Sequence, residues 1–207
     1  MSGTSFPPTP KTTLLRVLSG LLPVKGGSFR LDGQALHQQG ADTIVQAGIA
    51  HVPEGRRLFA GMTVEDNLLM GAFARRAAKA EIRRDVAFVY ELFPRLAERR
   101  RQDAVSMSGG EQQMCAIGRG LMAKPKIMLI DELSLGLAPV AVDLLIDALK
   151  RLAASGLGLL VVEQDIAVAL DLAMTALVLD RGQITRQDPA REIAADPAVR
   201  AAYLGVA

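Results

Sequence analysis

Along the chain, stretches whose apolar residues recur every three or four positions alternate with short continuous apolar runs. That is the pattern of helices interleaved with strands, and it predicts an α/β domain. "LLRVLSGLL" (14–22) has helical spacing and ends before Pro23, Gly26 and Gly27. "SFRLDG" alternates like an edge strand closing on a turn at Asp32-Gly33, and "AGIAHVPEG" gives a short strand and a loop. "KIMLID" and "GLGLLVVEQD" are unbroken apolar runs ending in carboxylates, as strands buried on both faces do. Between them, "VAVDLLIDALKRLAA" predicts an apolar-rich helix.

The middle of the chain differs. "TVEDNLLMGAFARR" and "KAEIRRDVAFVYELFPRLAERRR" both have helical spacing, the second placing Ile82, Val86, Val89, Leu92 and Phe93 on one face. The pattern therefore predicts one domain over 1–207, with an α/β core from 11–62 and 104–207 and a helical insertion at 63–103. No internal repeat or low-complexity linker interrupts it.

Composition narrows the function. Half of the 207 residues are apolar and the net charge is only +2, so a folded chain is expected. The balance of 24 basic against 22 acidic residues argues against nucleic-acid binding through a strong positive field. With no Trp and few other aromatics, stacking platforms for single strands are not expected either. The single cysteine, Cys115, fits a reducing cytosol and reads as a small core thiol. No apolar run approaches the ~18–20 residues that cross a bilayer, so membrane association is expected only through a partner.

Two segments carry candidate chemistry. In "IMLIDE", Asp131 falls at the carboxyl end of a buried strand, where open α/β sheets place their ligands. An aspartate there can hold Mg²⁺, and the following Glu132 can orient a water toward a phosphoryl group. Read alone, the same pattern fits a strand leaving into a polar turn. In "SMSGGEQQM", Ser108 and Glu111 form a capping box that should open a helix. Gly109 and Gly110 leave the amides of that helix start uncovered, where an anion is favoured. An ordinary capped helix does not ask for two glycines in its first turn.

The order "SGGEQQ", apolar helix, "IMLIDE", "SLGLAP" resembles the signature motif, Walker B and D-loop of ABC transporter ATPases, a P-loop NTPase-like fold. The resemblance runs from Lys11 to Gly205. It implies ATP and Mg²⁺ as cofactors, with Ser108, Gly109 and Gly110 contacting the γ-phosphate held by a second ATPase subunit. It gives Asp131 the Mg²⁺-side role and Glu132 that of catalytic base. Glu54 in "VPEGRRLF" falls at the Q-loop position, and Gln164 in "VVEQD" at that of the switch histidine, where neither His37 nor His51 aligns. These departures and the tail "VRAAYLG" resemble the ATP-binding subunits of branched-chain amino acid importers. Such a subunit is cytoplasmic, lies on the inner face of the plasma membrane through transmembrane permease subunits, and works as a homo- or heterodimer. "NLLMGAF" would then sit where a permease docks, although core packing explains most of it. The basic run "ERRRQD" reads as a solvated helix end.

The phosphate loop departs most. A Walker A loop reads G-x-x-x-x-G-K-[ST], wrapping phosphates with successive backbone amides. Before Lys11 stand Ser5, Phe6, Pro7, Pro8, Thr9 and Pro10: no glycine, and three prolines without an N–H. Each lost charge-assisted hydrogen bond is worth roughly 1.5–3 kcal/mol, so losing two or three weakens binding by on the order of 10²-fold or more. Lys11 and Thr12 still hold the phosphate and Mg²⁺ positions, with Thr13 beside them. The strands that precede this loop in the family have no counterpart here, which leads us to expect a truncated or misread N-terminus and a parallel sheet lacking a strand. Two functions stay open: an ATP-hydrolysing importer subunit, or a non-hydrolysing one that only docks on the permease or a partner ATPase.

Overall fold

The first helix of the computed structural model is α1 (Pro10–Leu18), and residues 10–199 are described. The phosphate-loop stretch before Pro10 and the tail beyond Val199 lie outside them. Helical spacing predicted α1 over 14–22. Instead it begins at Pro10, so that Lys11, Thr12 and Thr13 form its first turn, and it ends before Gly20, whose φ is +73°. Proline suits a helix start because its missing N–H would be unbonded there anyway. A hairpin of β1 (Arg30–Leu31) and β2 (Gln34–Ala35) turns at Asp32-Gly33, as expected. The unforeseen α2 (Ala41–Ala47) leads into β3 (Ile49–Val52).

An antiparallel bridge between Thr63 and Asp103 brackets the helical segment. Within it, α3 (Val64–Gly71) is opened by a Thr63–Asp66 capping box. α4 (Lys79–Leu92) and α5 (Pro94–Glu98) replace the single predicted helix, because Pro94 ends one and starts the next. A short 3₁₀ turn leads to α6 (Gly109–Leu121), and then come β4 (Ile127–Asp131), α7 (Pro139–Ala154) and β5 (Gly158–Val162). The described residues end with α8 (Ile166–Leu172), a β6 (Thr175–Asp180) and β7 (Gln183–Pro189) hairpin that sequence reading missed, α9 (Ala190–Ala195) and α10 (Pro197–Val199).

β3, β4 and β5 pair in parallel in the order β3-β4-β5. Alternate residues along each strand feed the two faces. Met128 and Ile130 join a cluster with Cys115, Ile117, Leu145 and Leu149 of α6 and α7, while Leu129 packs against Leu15, Ile44 and Ile49 on the other side. The sheet is thus sandwiched between α1 with α2 and α6 with α7, a three-layer α/β core. Cys115 is fully buried, with burial pushing its thiol up to about 12. The larger cluster runs on into the helical segment through Val64, Leu68, Val89 and Leu96. The helices cross there at Gly71, where an added Cβ would stand 1.9 Å from the Arg119 carbonyl oxygen.

β4 and β5 part company. β4 is buried over its last four residues, whereas every residue of β5 is only half-buried. The expectation that both strands are buried on both faces fails for β5 because, among the described residues, it pairs on one side only.

Candidate nucleotide site at the carboxyl ends of the parallel strands

The first turn of α1 meets the carboxyl ends of β4 and β5. Lys11 Nζ donates to the Glu163 carbonyl oxygen at 3.1 Å. Thr12, almost fully buried, directs Oγ1 to Asp131 Oδ1 at 3.4 Å. Thr13 is half-buried on the same turn. In sequence Thr12 lies 119 positions from Asp131 and Lys11 lies 152 from Glu163, and the fold brings them together.

Asp131 ends β4 at 1% exposure, and its Oδ2 has no hydrogen-bond partner among the described residues. Burial pushes its carboxyl above the ordinary range; the Thr12 hydroxyl opposes this, while the charges of Glu132 and the exposed Glu54 add to it. An orphaned buried carboxylate oxygen beside a threonine hydroxyl suits a hard divalent cation such as Mg²⁺, which takes one or two protein oxygens and completes its shell with water and phosphate. Among the described residues no group of three or more His, Cys, Asp or Glu could hold a metal alone, so such an ion would depend on phosphate oxygens.

Glu132, next along, adopts a left-handed φ of +55°. Its amide donates to the Val162 carbonyl at 2.9 Å, and its Oε1 accepts Gln164 Nε2 at 2.8 Å. The pairing of Glu132 with Gln164 joins two candidates that the sequence had named separately.

Ser108, Gly109 and Gly110 keep a different set of neighbours at the start of α6. The Ser108 amide and hydroxyl both donate to Glu111 Oε2, at 3.0 and 2.8 Å, and Arg99 Nε pairs with Glu111 Oε1 at 2.8 Å. Burial works to raise the Glu111 carboxyl, but Ser108 and Arg99 outweigh it and hold the group below its ordinary range. The closeness that two glycines suggested has a concrete source at Gly110, where an added Cβ would lie 2.6 Å from Ala141 Cβ of α7. At Gly109 the close neighbour is Arg56 Nη2, 3.0 Å from the same notional position. Arg56 belongs to a loop with Gly55, Arg56 and Arg57 all at positive φ. Arg119 of α6 supports that loop, donating to the Arg56 carbonyl at 3.2 Å and lying 5.0 Å over the Phe59 ring.

Sequence reading missed Glu163. Its carboxylate is buried and accepts the Ser134 amide at 2.7 Å and the Ser134 hydroxyl at 3.0 Å. The rule that singled out Asp131, an acid ending a buried apolar run, applies equally to Glu163 and was the available signal. His51, half-buried on β3, bonds Ser19 Oγ through Nδ1 at 3.1 Å, a structural contact.

Comparison with known proteins places this geometry. The family described as "ABC transporter" matches residues 9–134. The chain is 46% identical over 195 residues to the high-affinity branched-chain amino acid transport ATP-binding protein BraG of Pseudomonas aeruginosa, covering 94% of this chain and 83% of that one. It is 30% identical over 184 residues to the probable branched-chain amino acid transport ATP-binding protein LivF of Archaeoglobus fulgidus, covering 88% and 77%. A nucleotide-free ATP-binding cassette from an ABC transporter superposes with a TM-score of 0.77 over 91% of this chain and 81% of its own at 23% identity, a likeness of fold. Among the described residues no helix is long and apolar enough to cross a membrane. Motif order, sheet topology and this identity agree, and the chain belongs to the ABC transporter family, as an ATP-binding subunit.

Proposed function

We propose that the chain binds and hydrolyses ATP to drive an importer of branched-chain amino acids. The observation that carries the reading is the buried Asp131 with its orphaned Oδ2 beside the Thr12 hydroxyl, at the head of α1 and next to a Glu132 held by Gln164. Lys11, Thr12 and Thr13 would meet the phosphates. Asp131 and Thr12 would hold Mg²⁺, with Glu54 reaching it through water, and the ion would neutralise developing phosphoryl charge. Glu132 would take the proton of the attacking water, and Gln164, bonded to it, would orient the pair. Ser108, Gly109 and Gly110 would face nucleotide on a second ATPase subunit. The relatives' names support the substrate class.

Residues 63–103 serve in this reading as a helical subdomain facing transmembrane permease subunits, which would keep the protein at the inner face of the plasma membrane. Exposed Leu69, Met70 and Phe73 on and after α3 support that contact.

The second reading, a subunit that docks without hydrolysing, is favoured by one observation: Pro7, Pro8 and Pro10 cannot donate the amides that a phosphate nest needs. Calorimetry with Mg²⁺-ATP, using Lys11→Ala as control, separates the two. Micromolar binding that the substitution abolishes supports the hydrolysing subunit. Millimolar or absent binding, indifferent to the substitution, supports the docking subunit.

A further inference from the structure

Three consecutive residues at the end of β5 grip the turn that leaves β4. Val162 accepts the Glu132 amide through its carbonyl, Glu163 accepts the Ser134 amide and hydroxyl through its carboxylate, and Gln164 donates to the Glu132 carboxylate. The residue so enclosed, Glu132, is left-handed at φ +55° without being glycine, a conformation that brings its Cβ close to the following carbonyl oxygen. Such strain persists only where the surroundings over-determine it. Buried Leu133 pins the turn to the core on one side, but Leu135 beyond it is 54% exposed and Gly136 stands at φ +67°. Within the turn the Leu137 amide donates to the Ser134 carbonyl at 3.1 Å, and among the described residues the bonds from Glu163 to Ser134 tie that closed turn to the end of β5. The carbonyl of the same Glu163 accepts Lys11 Nζ, so one residue registers the start of α1 and the turn after β4 against a single strand end.

We propose that Glu163 is a positioning residue: by gripping Ser134 it fixes the turn at 132–137 and thereby sets where Glu132 presents its carboxylate. The inference rests on the reading of Glu132 as the base of an ATPase. Glu163 would touch neither nucleotide nor water and would act through Ser134 and Glu132. A buried acid that is merely satisfied would lower stability when removed but would not govern the turn.

The chain contains no Trp, so Leu135→Trp places a lone indole on the exposed turn. In that background, Glu163→Ala should raise acrylamide quenching about twofold and lower the indole's anisotropy. It should also reduce kcat by at least about tenfold while KM for ATP stays within about twofold, because a small displacement of a reacting group is costly and phosphate contacts are untouched. Glu163→Gln, whose amide can accept the Ser134 N–H and donate to its hydroxyl, should restore both readouts to within about threefold. Should Glu163→Ala fail to fold, Ser134→Ala, which removes one of the two bonds, should move both readouts the same way by a smaller step. Unchanged quenching, a KM that rises in step with the fall in kcat, or equal behaviour of the Ala and Gln variants overturns the proposal. A parent chain that hydrolyses no ATP counts against the proposed function, and the fluorescence comparison then decides alone: a turn loosened by Ala and held by Gln sustains the grip, and equal quenching refutes it.

Discussion

β4 and β5 are neighbours, parallel, five residues each and almost wholly aliphatic, yet their surroundings differ throughout. Ile130, the fourth residue of β4, is fully buried, while Leu160 of β5, which pairs with the adjacent Leu129, is only half-buried. The difference lies in pairing, since among the described residues β4 is flanked on both sides and β5 on one. Local composition reports that a strand seeks burial; it does not report how many neighbours the strand obtains. The sharpest test is a matched truncation. Ile130→Ala should cost about 3–4 kcal/mol, with transfer and cavity terms both in full, and Leu160→Ala only about 1–2. Urea unfolding of the two variants measures this, and equal losses would mean that β5 is as enclosed as β4.

The same contrast explains what was legible in the residues. β4, α7, the face of α4 and the capped start of α6 were legible because each states its period or cap locally. α2 and the β6-β7 hairpin were missed: α2 is a short "ADTIVQA", and β6 alternates weakly, with Leu177 and Val178 both exposed. For the candidate site, motif order singled out Asp131, Glu132 and Ser108–Gly110, and resemblance added Gln164. The bonds joining Lys11 to Glu163, Glu163 to Ser134 and Gln164 to Glu132 could not, because they depend on strand ends brought together by β4-β5 pairing. Glu54 was placed by resemblance, and in the structure it reaches Asp131 through its charge.

β3, the other outer strand of the sheet among the described residues, extends the comparison to pH. Ser19 Oγ donates to the Arg16 carbonyl, so His51 Nδ1–H donates to Ser19 and leaves Nε2 buried without a partner among the described residues. Burial, with the nearby Arg16 charge, lowers the imidazole from 6.5 to about 4. The unfolded chain therefore binds this proton first, and stability rises with pH across that window. It is fully present above about 6.5 and lost as pH falls toward 4, by roughly 2 kcal/mol once partial solvent contact is allowed for. The raised Asp131 and Glu163 carboxyls act in the opposite sense, since the folded state takes up their protons first. His51→Leu isolates the histidine: the difference in stability between it and the parent, followed by denaturant midpoint, should grow on acidification between these values. A constant difference would remove His51 from the account.

The smallest effect concerns the acids that end the two strands, and it should differ in kind. Asp131 is buried with one oxygen unbonded among the described residues, so ionising it costs the ligand-free chain stability. Asp131→Asn removes that charge and should stabilise the ligand-free chain by about 1 kcal/mol while abolishing Mg²⁺-dependent nucleotide binding. Glu163 spends both oxygens on Ser134, so Glu163→Gln exchanges charged hydrogen bonds for neutral ones and is relieved of a buried charge at the same time. Those changes nearly cancel, and its stability should stay within about 0.5 kcal/mol of the parent. Thermal unfolding without ligand reads both variants. A stabilised Asp131→Asn beside a neutral Glu163→Gln would mark Asp131 as an acid kept at a cost in stability for something it binds, and Glu163 as one kept for the protein's own turn. A destabilised Asp131→Asn would instead make Asp131 part of the scaffold and would withdraw the observation on which the Mg²⁺ assignment rests.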